Sequence, residues 1–253
     1  MWRNELTAAD FADTGQWRLL LKIGATGLKA FLENTIRKEI PPQPLCESNW
    51  PFNRDELKKN LEDAVYNNPR LLDDFATRII IYDPRTLFIP TEIAQESLGK
   101  EEELYKKVYT ADDSDIMTDT DDDITAVWAP APGIRSFLMR TFPGARISCN
   151  LFEKIKKLRD EKGGYALYLF ARSHEADVIL MHNRDLISAS TQEWSHTDDL
   201  AFLTLNLLEI YNVPLNQSKI SVKGAGTDSE AWKYIASKAL SLTNPPENEN
   251  NQW

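Results

Sequence analysis

The second half of the chain carries apolar runs that are separated by short polar turns. Residues 165–171 (YALYLFA) are almost entirely apolar, which predicts a strand buried on both faces. Two further runs, 176–181 and the weaker 186–191, follow after polar turns, so we predict an antiparallel meander of three strands. A helix is predicted from Thr197, because acidic residues stand in its first turn and leucines recur at helical spacing. Other apolar residues fill much of its remaining surface, so we expect this helix to be deeply buried.

Two more strands and a second helix complete this half. Residues 219–223 (KISVK) predict a short strand that contains β-branched residues. The small residues of 224–226 then lead into a helix predicted over 229–237, and a last short strand is predicted over 239–242. The predicted order is therefore β-β-β-α-β-α-β.

The first half of the chain predicts the same opening order from a different sequence. Residues 17–23 (WRLLLKI) and 28–32 (LKAFL) flank a Gly-Ala-Thr-Gly turn, whose glycines are available for positive φ, and they predict a hairpin. We expect the third strand over 34–40, ahead of a proline-rich loop at 41–51.

A helix and a fourth strand follow this loop. Asn53 and Glu56 have the spacing of a capping box, so Asn53 is the predicted N-cap of a helix that ends before Pro69. Residues 78–82 (RIIIY) predict the fourth strand. Further elements are predicted between the halves: a strand at 87–90, a helix at 92–98, a solvated acidic loop at 112–123, a strand at 124–129, a helix at 134–141, a strand at 145–148 and a helix at 151–160.

The two halves together predict a duplicated α/β architecture. The order β-β-β-α-β-α-β is that of one half of the actin-like ATPase fold, which belongs to the ribonuclease-H-like group. We therefore predict two such lobes, residues 1–150 and 151–253, with a loose lead-in over 1–16 and a disordered tail over 244–253.

Composition and charge narrow the classes of partner. The 253 residues are 42% hydrophobic, which is ample for a core, and the net charge is −10. This charge argues against nucleic acid and against anionic membrane surfaces, because both attract clustered Lys and Arg. We expect neither a signal peptide nor a transmembrane helix, since the N-terminus is polar and no apolar run approaches about 18 residues. Cys46 and Cys149 make no disulfide framework, so a reducing cytoplasm is expected.

Two stretches carry a family resemblance. Residues 198–224 (DDLAFLTLNLLEIYNVPLNQSKISVKG) follow a hairpin pair and a Trp-containing third strand, and residues 85–92 read RTLFIPTE. Over 17–243 the chain resembles a family of uncharacterised bacterial proteins that have an actin-like ATPase fold and no assigned activity. The resemblance implies the fold and leaves the function open.

The first phosphate-binding turn of actin-like ATPases can be tested against residues 22–27 (KIGATG). Lys22, Gly24, Thr26 and Gly27 resemble the Asp-Ile-Gly-Thr-Thr-Gly pattern of sugar-kinase relatives, in which the Asp positions Mg²⁺ or water. Lys22, however, stands where the carboxylate belongs. A protonated lysine can neutralise phosphate but has no lone pair for Mg²⁺.

The second half departs further from the nucleotide-binding pattern. Its first turn, 172–176 (RSHEA), has no glycine, so larger side chains would crowd a phosphate. Gly224, Ala225 and Gly226 resemble the adenosine-contacting turn, although an ordinary turn between a strand and a helix explains them as well. Asp83 is a candidate for a displaced acid, but Asp-Pro commonly starts a turn.

Other constellations give weaker signals. Asp119, Asp121 and Asp123 are spaced like the start of a calcium loop, but Ile124 stands where glycine is needed and Pro130 where glutamate is needed. The three histidines, His174, His182 and His196, have no metal-ligand spacing, and we interpret them as turn or surface residues. The sequence has no C-x-x-C, no G-x-S-x-G and no complete nucleotide fingerprint.

The favoured hypothesis is a cytoplasmic, non-catalytic binding or scaffold protein on a degenerate actin-like fold, with an unknown protein partner and no cofactor. The alternative is an ATP-binding phosphotransferase or ATPase with a rearranged Mg²⁺-ATP site, for which Asp83 is the candidate metal ligand. A third hypothesis is a structural subunit of an assembly, like the actin-like members of secretion machines.

Overall fold

We analysed a computed structural model of the chain. The structure describes residues 14–53, 55–96, 100–109, 116–159, 163–172 and 174–243. The predicted tail over 244–253 and most of the predicted lead-in lie outside these residues.

The described residues form both strands and helices, mixed along the chain. The strands are β1 Trp17–Gly24, β2 Gly27–Asn34, β3 Gln43–Asn49, β4 Thr77–Tyr82, β5 Thr86–Pro90, β6 Met117–Thr120, β7 Ile124–Trp128, β8 Arg146–Cys149, β9 Tyr165–Ala171, β10 Glu175–His182, β11 Asp185–Glu193, β12 Ser218–Lys223 and β13 Ser241–Thr243. The helices are α1 Leu57–Tyr66, α2 Thr91–Glu96, α3 Glu101–Val108, α4 Ile134–Thr141, α5 Asn150–Leu158, α6 Thr197–Ile210 and α7 Glu230–Lys238.

The chain divides into two compact units. The first comprises Met1–Pro84 and Ile89–Asn150, and the second comprises Arg85–Phe88 and Leu151–Trp253. That residues 1–150 and 151–253 are two domains stays a prediction, because compactness does not show that either part folds by itself.

The first unit contains a five-stranded sheet in the order β3-β2-β1-β4-β8. The first three strands pair antiparallel, whereas β4 is parallel to both β1 and β8. The apolar side chains of β1 and β2 alternate, so those of Leu19, Leu21 and Ile23 share one buried face. Helices α1 and α4 meet through Tyr66 and Phe137, whose rings pack edge to face with centroids 6.1 Å apart.

The second unit repeats this topology in the order β11-β10-β9-β12-β13. β9, β10 and β11 form the predicted antiparallel meander, and β12 is parallel to β9 and β13. The core packs one face of β9, β10 and β12 against α6 and α7, with Trp232 fully buried among these elements. The predicted order of elements in this half is confirmed, and β9 has the predicted bounds.

The prediction for the third strand is wrong. The third strand is not at 34–40 but is β3, inside the predicted proline-rich loop. Asn34 instead uses its side-chain oxygen to accept hydrogen bonds from the amides of Ile36 and Arg37, which turns the chain away from β2. β3 tolerates Pro44 because β3 is an edge strand and its pairing with β2 carries a register shift at that point.

The N-cap of α1 and the burial of α6 also differ from expectation. Asn53 accepts a hydrogen bond from the amide of Asp55 in a local turn, and α1 begins later, with Glu56 in the capping position. Phe202 and Ile210 of α6 are 67% and 61% exposed, because only one side of this helix faces the sheet and α7.

The acidic stretch is not simply a solvated loop where the structure describes it. Residues 117–120 form β6, which pairs antiparallel with the fully buried β7. One carboxylate oxygen of Asp119 accepts hydrogen bonds from the indole of Trp128 and from the amide of Cys149, both at 2.9 Å.

Helix α3 was not predicted from the sequence. Among the described residues, no helix is long and apolar enough to cross a membrane.

Candidate functional site

The carboxyl ends of β1, β4 and β8 meet at one edge of the first sheet, where ligands of open α/β sheets commonly bind. Asp83, directly after β4, accepts a hydrogen bond of 2.5 Å from the side-chain amide of Asn150, which directly follows β8. Its backbone amide donates to the carbonyl of Ile23 at 3.0 Å. A Cβ atom added to Gly24 would lie 3.4 Å from the other Asp83 oxygen. Asp83 is therefore a carboxylate at this edge, positioned by its neighbours.

The predicted phosphate turn between β1 and β2 is closed by Trp50. The indole of Trp50 donates to the carbonyl of Ala25 at 3.0 Å, and its backbone amide donates to the carbonyl of Thr26 at 2.9 Å. A Cβ atom on Gly27 would come within 2.8 Å of Ser48 and Asn49, and neither Gly24 nor Gly27 has positive φ. Glycine at 27 is thus required by the close approach of β3 and not by a positive φ.

Lys22 lies two residues before the end of β1, on the strand face opposite the buried Leu21 and Ile23. Its ammonium group is 5.5 Å from the centroid of the Phe31 ring. This is cation–π geometry, which places a positive charge where the resemblance to sugar kinases calls for a carboxylate.

The glycine-containing turn of the second unit, which resembles the adenosine-contacting turn, follows β12. Gly224 has φ +80°, and a Cβ atom there would lie 2.2 Å from the carbonyl oxygen of Ala171 at the end of β9. Only glycine fits this position, for reasons internal to the sheet. Ala225 is half-buried and Gly226 is exposed, with open space where a Cβ atom would stand.

A buried ion network within the second unit joins α5 to β10 and β11. Asp177 of β10 is 1% exposed and Lys154 of α5 is 5% exposed. One oxygen of Asp177 accepts hydrogen bonds from Lys154 at 2.6 Å and from Arg172 at 2.8 Å. The other accepts from Arg172 at 3.1 Å and from the hydroxyl of Thr191 at 2.8 Å.

The charges of this network decide the protonation of Asp177. Burial alone would raise the pKa of this carboxyl group, but the positive charges of Lys154 and Arg172 and their hydrogen bonds outweigh burial and hold the pKa below its usual value. Asp177 is therefore a carboxylate at neutral pH, with each oxygen accepting two hydrogen bonds.

A small basic pocket opens next to the network. Its cavity volume is about 80 Å³, and its lining comprises Lys154, Lys157, Leu158, Tyr168, Phe170, Ser221 and Lys223. The ammonium groups of Lys154 and Lys223 lie 4.7 and 5.8 Å from the centroid of the Phe170 ring. Since binding pockets for small molecules commonly hold about 300–1,000 Å³, this pocket by itself suits a small anion and not a whole nucleotide.

Sequence reasoning missed Lys154 and Asp177, although both left a signal. Asp177 is a lone charge within the apolar run 176–181, and Lys154 falls among the buried residues of α5. Charged residues at buried positions are paired in folded proteins, so each residue indicated the need for a partner but not its identity.

Neither the histidines nor the acidic residues gather into a metal site. Among the described residues, no three His, Cys, Asp or Glu side chains are close enough together to hold a metal ion. His196 caps α6, accepting a hydrogen bond from the amide of Asp198 at 3.2 Å. Asp199 completes a capping box: hydrogen bonds from the backbone amides of Ser195 and His196, then from the Ser195 hydroxyl, lower the pKa of its carboxyl group.

Comparisons with known proteins place the chain in a family. Residues 7–238 match the DUF3822 family of proteins of unknown function. The chain therefore belongs to this family. A comparison with curated proteins finds no match.

Solved structures support the fold. A protein from Bacteroides thetaiotaomicron, described as having an actin-like ATPase fold and unknown function, is 17% identical, with a TM-score of 0.81 over 92% of each chain. The PilM-PilN type IV pilus biogenesis complex contains a chain that is 12% identical, with a TM-score of 0.49 over 89% of this chain and 87% of that one. EutJ, an ethanolamine utilization protein from Carboxydothermus hydrogenoformans, is 6% identical, with a TM-score of 0.45 over 89% and 84%. The last two scores carry no further conclusion. The predicted fold class is confirmed: the chain has an actin-like ATPase fold, with the same strand order in both units.

Proposed function

We propose that this protein is a non-catalytic binding or scaffold protein of the cytoplasm, built on an actin-like fold whose nucleotide site is degenerate. One observation carries the proposal. Lys22 occupies the β1 position where the resemblance calls for a Mg²⁺-binding carboxylate, and its ammonium group lies over the Phe31 ring. A phosphoryl-transfer site of this type needs a bound metal ion between the phosphate oxygens and a protein carboxylate, which lysine cannot supply.

The closed turn of the first unit supports the same conclusion. The space beside Gly27 is taken by Ser48 and Asn49 of β3 and is not left open for a phosphate, while Trp50 fixes the turn by donating to the carbonyls of Ala25 and Thr26. Glycine at this position therefore meets a demand of the sheet itself. Its presence is no sign of phosphate binding.

The residue at the first turn of the second unit also has a structural role. Arg172 forms two hydrogen bonds to Asp177 and so helps to neutralise a buried carboxylate. A guanidinium group held in this way is costly to redirect toward a phosphate, because Asp177 would lose one of its two cationic partners.

A protein partner is the binding class that suits this chain best. The net charge of −10 opposes nucleic acid and anionic membrane surfaces. Neither Cys46 nor Cys149 forms a disulfide, which agrees with a reducing compartment. We propose that a surface of one lobe binds the partner and that no cofactor is needed. The protein would then act either as a scaffold or as a structural subunit of an assembly.

The alternative function is that of an ATP-binding phosphotransferase or ATPase with a rearranged site. The observation in its favour is Asp83, a carboxylate at the edge where β1, β4 and β8 end, within 3.4 Å of the space beside Gly24. Asp83 would then replace the missing carboxylate as the Mg²⁺ ligand.

A thermal-shift titration with ATP and ADP, with and without Mg²⁺, separates the two functions. A ligand present at 100 times its dissociation constant stabilises the native state by about 2.7 kcal/mol. We expect the melting temperature to stay unchanged at millimolar nucleotide. A Mg²⁺-dependent rise that is absent in the Asp83→Asn variant would overturn the degenerate site and favour the alternative, which a phosphotransfer assay would then test.

A further inference from the structure

The outer strands of the two five-stranded sheets differ in how they are protected against pairing with another chain. Exposed sheet edges are normally blunted by short length, proline or charge, because their unpaired backbone groups would otherwise recruit another strand. β8 and β13 are short, with four and three residues, and β3 carries Pro44 and the charged Glu47. β11 has nine residues (DLISASTQE), with no proline and no charge between Asp185 and Glu193. Its pairing with β10 is irregular at Ile187, near the start of the strand, and regular from Ser188 to Glu193.

The backbone of β11 is available along its outer side. Among the described residues, no backbone group of Leu186–Gln192 has a hydrogen-bond partner outside the ladder with β10. In an antiparallel pair, every second residue directs its N–H and C=O away from the neighbouring strand. The interior positions of β11 are all half-buried and none is fully buried, so solvent reaches the strand.

We propose that β11 is the docking edge for an extended segment of a partner protein, which adds a sixth strand to the sheet of the second unit. The proposal rests on the proposed binding function and names the surface and the chemistry of the partner. Main-chain hydrogen bonds supply the affinity in this mode of recognition, and the side chains of the added strand supply the specificity.

The acidic residues at the two ends of β11 indicate which kind of segment can pair with this strand. A second copy of this chain that paired antiparallel over the full strand would place Asp185 opposite Glu193 of its copy, at both ends. Like charges directly opposite each other on neighbouring strands are destabilising. A segment with Lys or Arg at its ends meets both acids instead. Glu193 already lies 3.7 Å from Arg85 and keeps a 74% exposed side chain, so a cation can reach it.

The side chains of β11 indicate which residues suit the middle of the partner segment. The central Ser188, Ala189 and Ser190 are small, so a neighbouring strand can approach without a steric clash. Uncharged residues with high β-propensity suit the middle of the partner segment, since β-branched side chains pack well on a pleated surface. The expected partner segment is therefore an uncharged strand with a basic residue at each end.

A designed peptide tests the proposal directly. The probe is the capped peptide Lys-Thr-Val-Thr-Val-Thr-Val-Thr-Lys, and the measurement is hydrogen–deuterium exchange of the full chain, with peptide binding followed by fluorescence anisotropy. Because backbone pairing does not depend on one particular sequence, we expect the peptide to bind and to slow amide exchange at 186–192. Methylation of alternate backbone amides on the side that faces β11 should weaken binding by about tenfold or more, since several main-chain hydrogen bonds are lost together. A peptide with Glu at both ends should bind more weakly.

Two proline variants provide the matched controls. Ala189 and Ser190 are neighbours, so one of them directs its N–H toward β10 and the other away from it. In Ala189→Pro and Ser190→Pro, the variant that loses the inward hydrogen bond should be destabilised. The other should keep its melting temperature, because an edge strand tolerates proline on its solvent side, but should no longer bind the peptide.

Several outcomes would overturn the proposal: no binding, binding that leaves exchange at 186–192 unchanged, or equal binding of the N-methylated peptide. A concentration-dependent dimer that the folded proline variant abolishes would also overturn it, by assigning the edge to a second copy. Failure of the proposed function has a different signature, since a Mg²⁺-ATP thermal shift would appear whether or not the peptide binds.

Discussion

Replacing Lys154 by methionine tests whether the buried ion network organises the second unit. The side chain of Lys154 is 5% exposed and its ammonium group lies 2.6 Å from Asp177, which is itself 2% exposed at the side chain. Methionine fills most of the volume of the lysine stem but removes the charge. Asp177 would then keep only Arg172, whose side chain is 30% exposed, and the hydroxyl of Thr191.

The expected loss is large, because one partner of a buried pair is removed while the other remains. Such a change costs about 3–5 kcal/mol. For a chain of this length each kcal/mol lowers the melting temperature by roughly 2–4 °C, so the melting temperature should fall by about 6–20 °C. Urea unfolding at pH 7, followed by tryptophan fluorescence, measures the free energy of unfolding. Lys156→Met is the matched control, since Lys156 is exposed on the same helix and, among the described residues, its ammonium group contacts only the face of the Phe152 ring, at 5.7 Å from the centroid; its loss should cost no more than about 1 kcal/mol.

The pH dependence adds a second measurement. The folded-state pKa of Asp177 lies below its ordinary value, so its stabilising contribution is present above the unfolded pKa and is lost as the pH falls through the folded pKa. Without Lys154, Arg172 is the one cation of the network that remains to offset the effect of burial on Asp177. The folded-state pKa of Asp177 therefore rises. The stability gap between Lys154→Met and the wild type should therefore narrow as the pH falls.

A double-mutant cycle isolates the pair. Asp177→Asn alone leaves the ammonium group of Lys154 buried without its anionic partner, and the combination with Lys154→Met should recover part of the loss. The reasoning is refuted if Lys154→Met stays within about 1 kcal/mol of the wild type, or if the two substitutions are additive.

Three further predictions concern stability elsewhere in the second unit. Trp232→Ala should cost about 3–5 kcal/mol in urea unfolding, because a fully buried indole leaves a cavity, whereas Trp232→Phe should cost clearly less. Gly224→Ala should cost about 2–4 kcal/mol, since its φ is +80° and the new Cβ would collide with the carbonyl of Ala171; Gly226→Ala, with open space beside it, should stay near the wild type, and equal losses would contradict this. Asp199→Asn should lower the melting temperature at pH 7, and because the folded pKa of this carboxyl group is depressed, the difference should shrink as the pH falls; a difference that does not depend on pH would refute this cause.

Much of the fold could be predicted from local pattern. The run YALYLFA predicts a strand covered on both faces, and residues 167–170 of β9 are all buried. The hairpin of the first unit and the order of elements in the second were also readable, because strand periodicity and turn residues act over a few positions. The third strand was not, since β3 is fixed by its register with β2 and by its place at a sheet edge, where proline is tolerated.

For the candidate site, too, some features follow from the sequence and others only from the tertiary structure. The sequence by itself determined that residue 22 is a lysine, where the resemblance to sugar kinases calls for a carboxylate, and that the turn after β9 has no glycine, because these are statements about residue type. Only the tertiary structure decided what those residues do. It paired Arg172 and Lys154 with Asp177, put Trp50 over the β1–β2 turn, and brought Asn150 to Asp83 across 67 residues of chain. Such contacts join distant parts of the chain, so their partners depend on strand order and register, which no local pattern specifies.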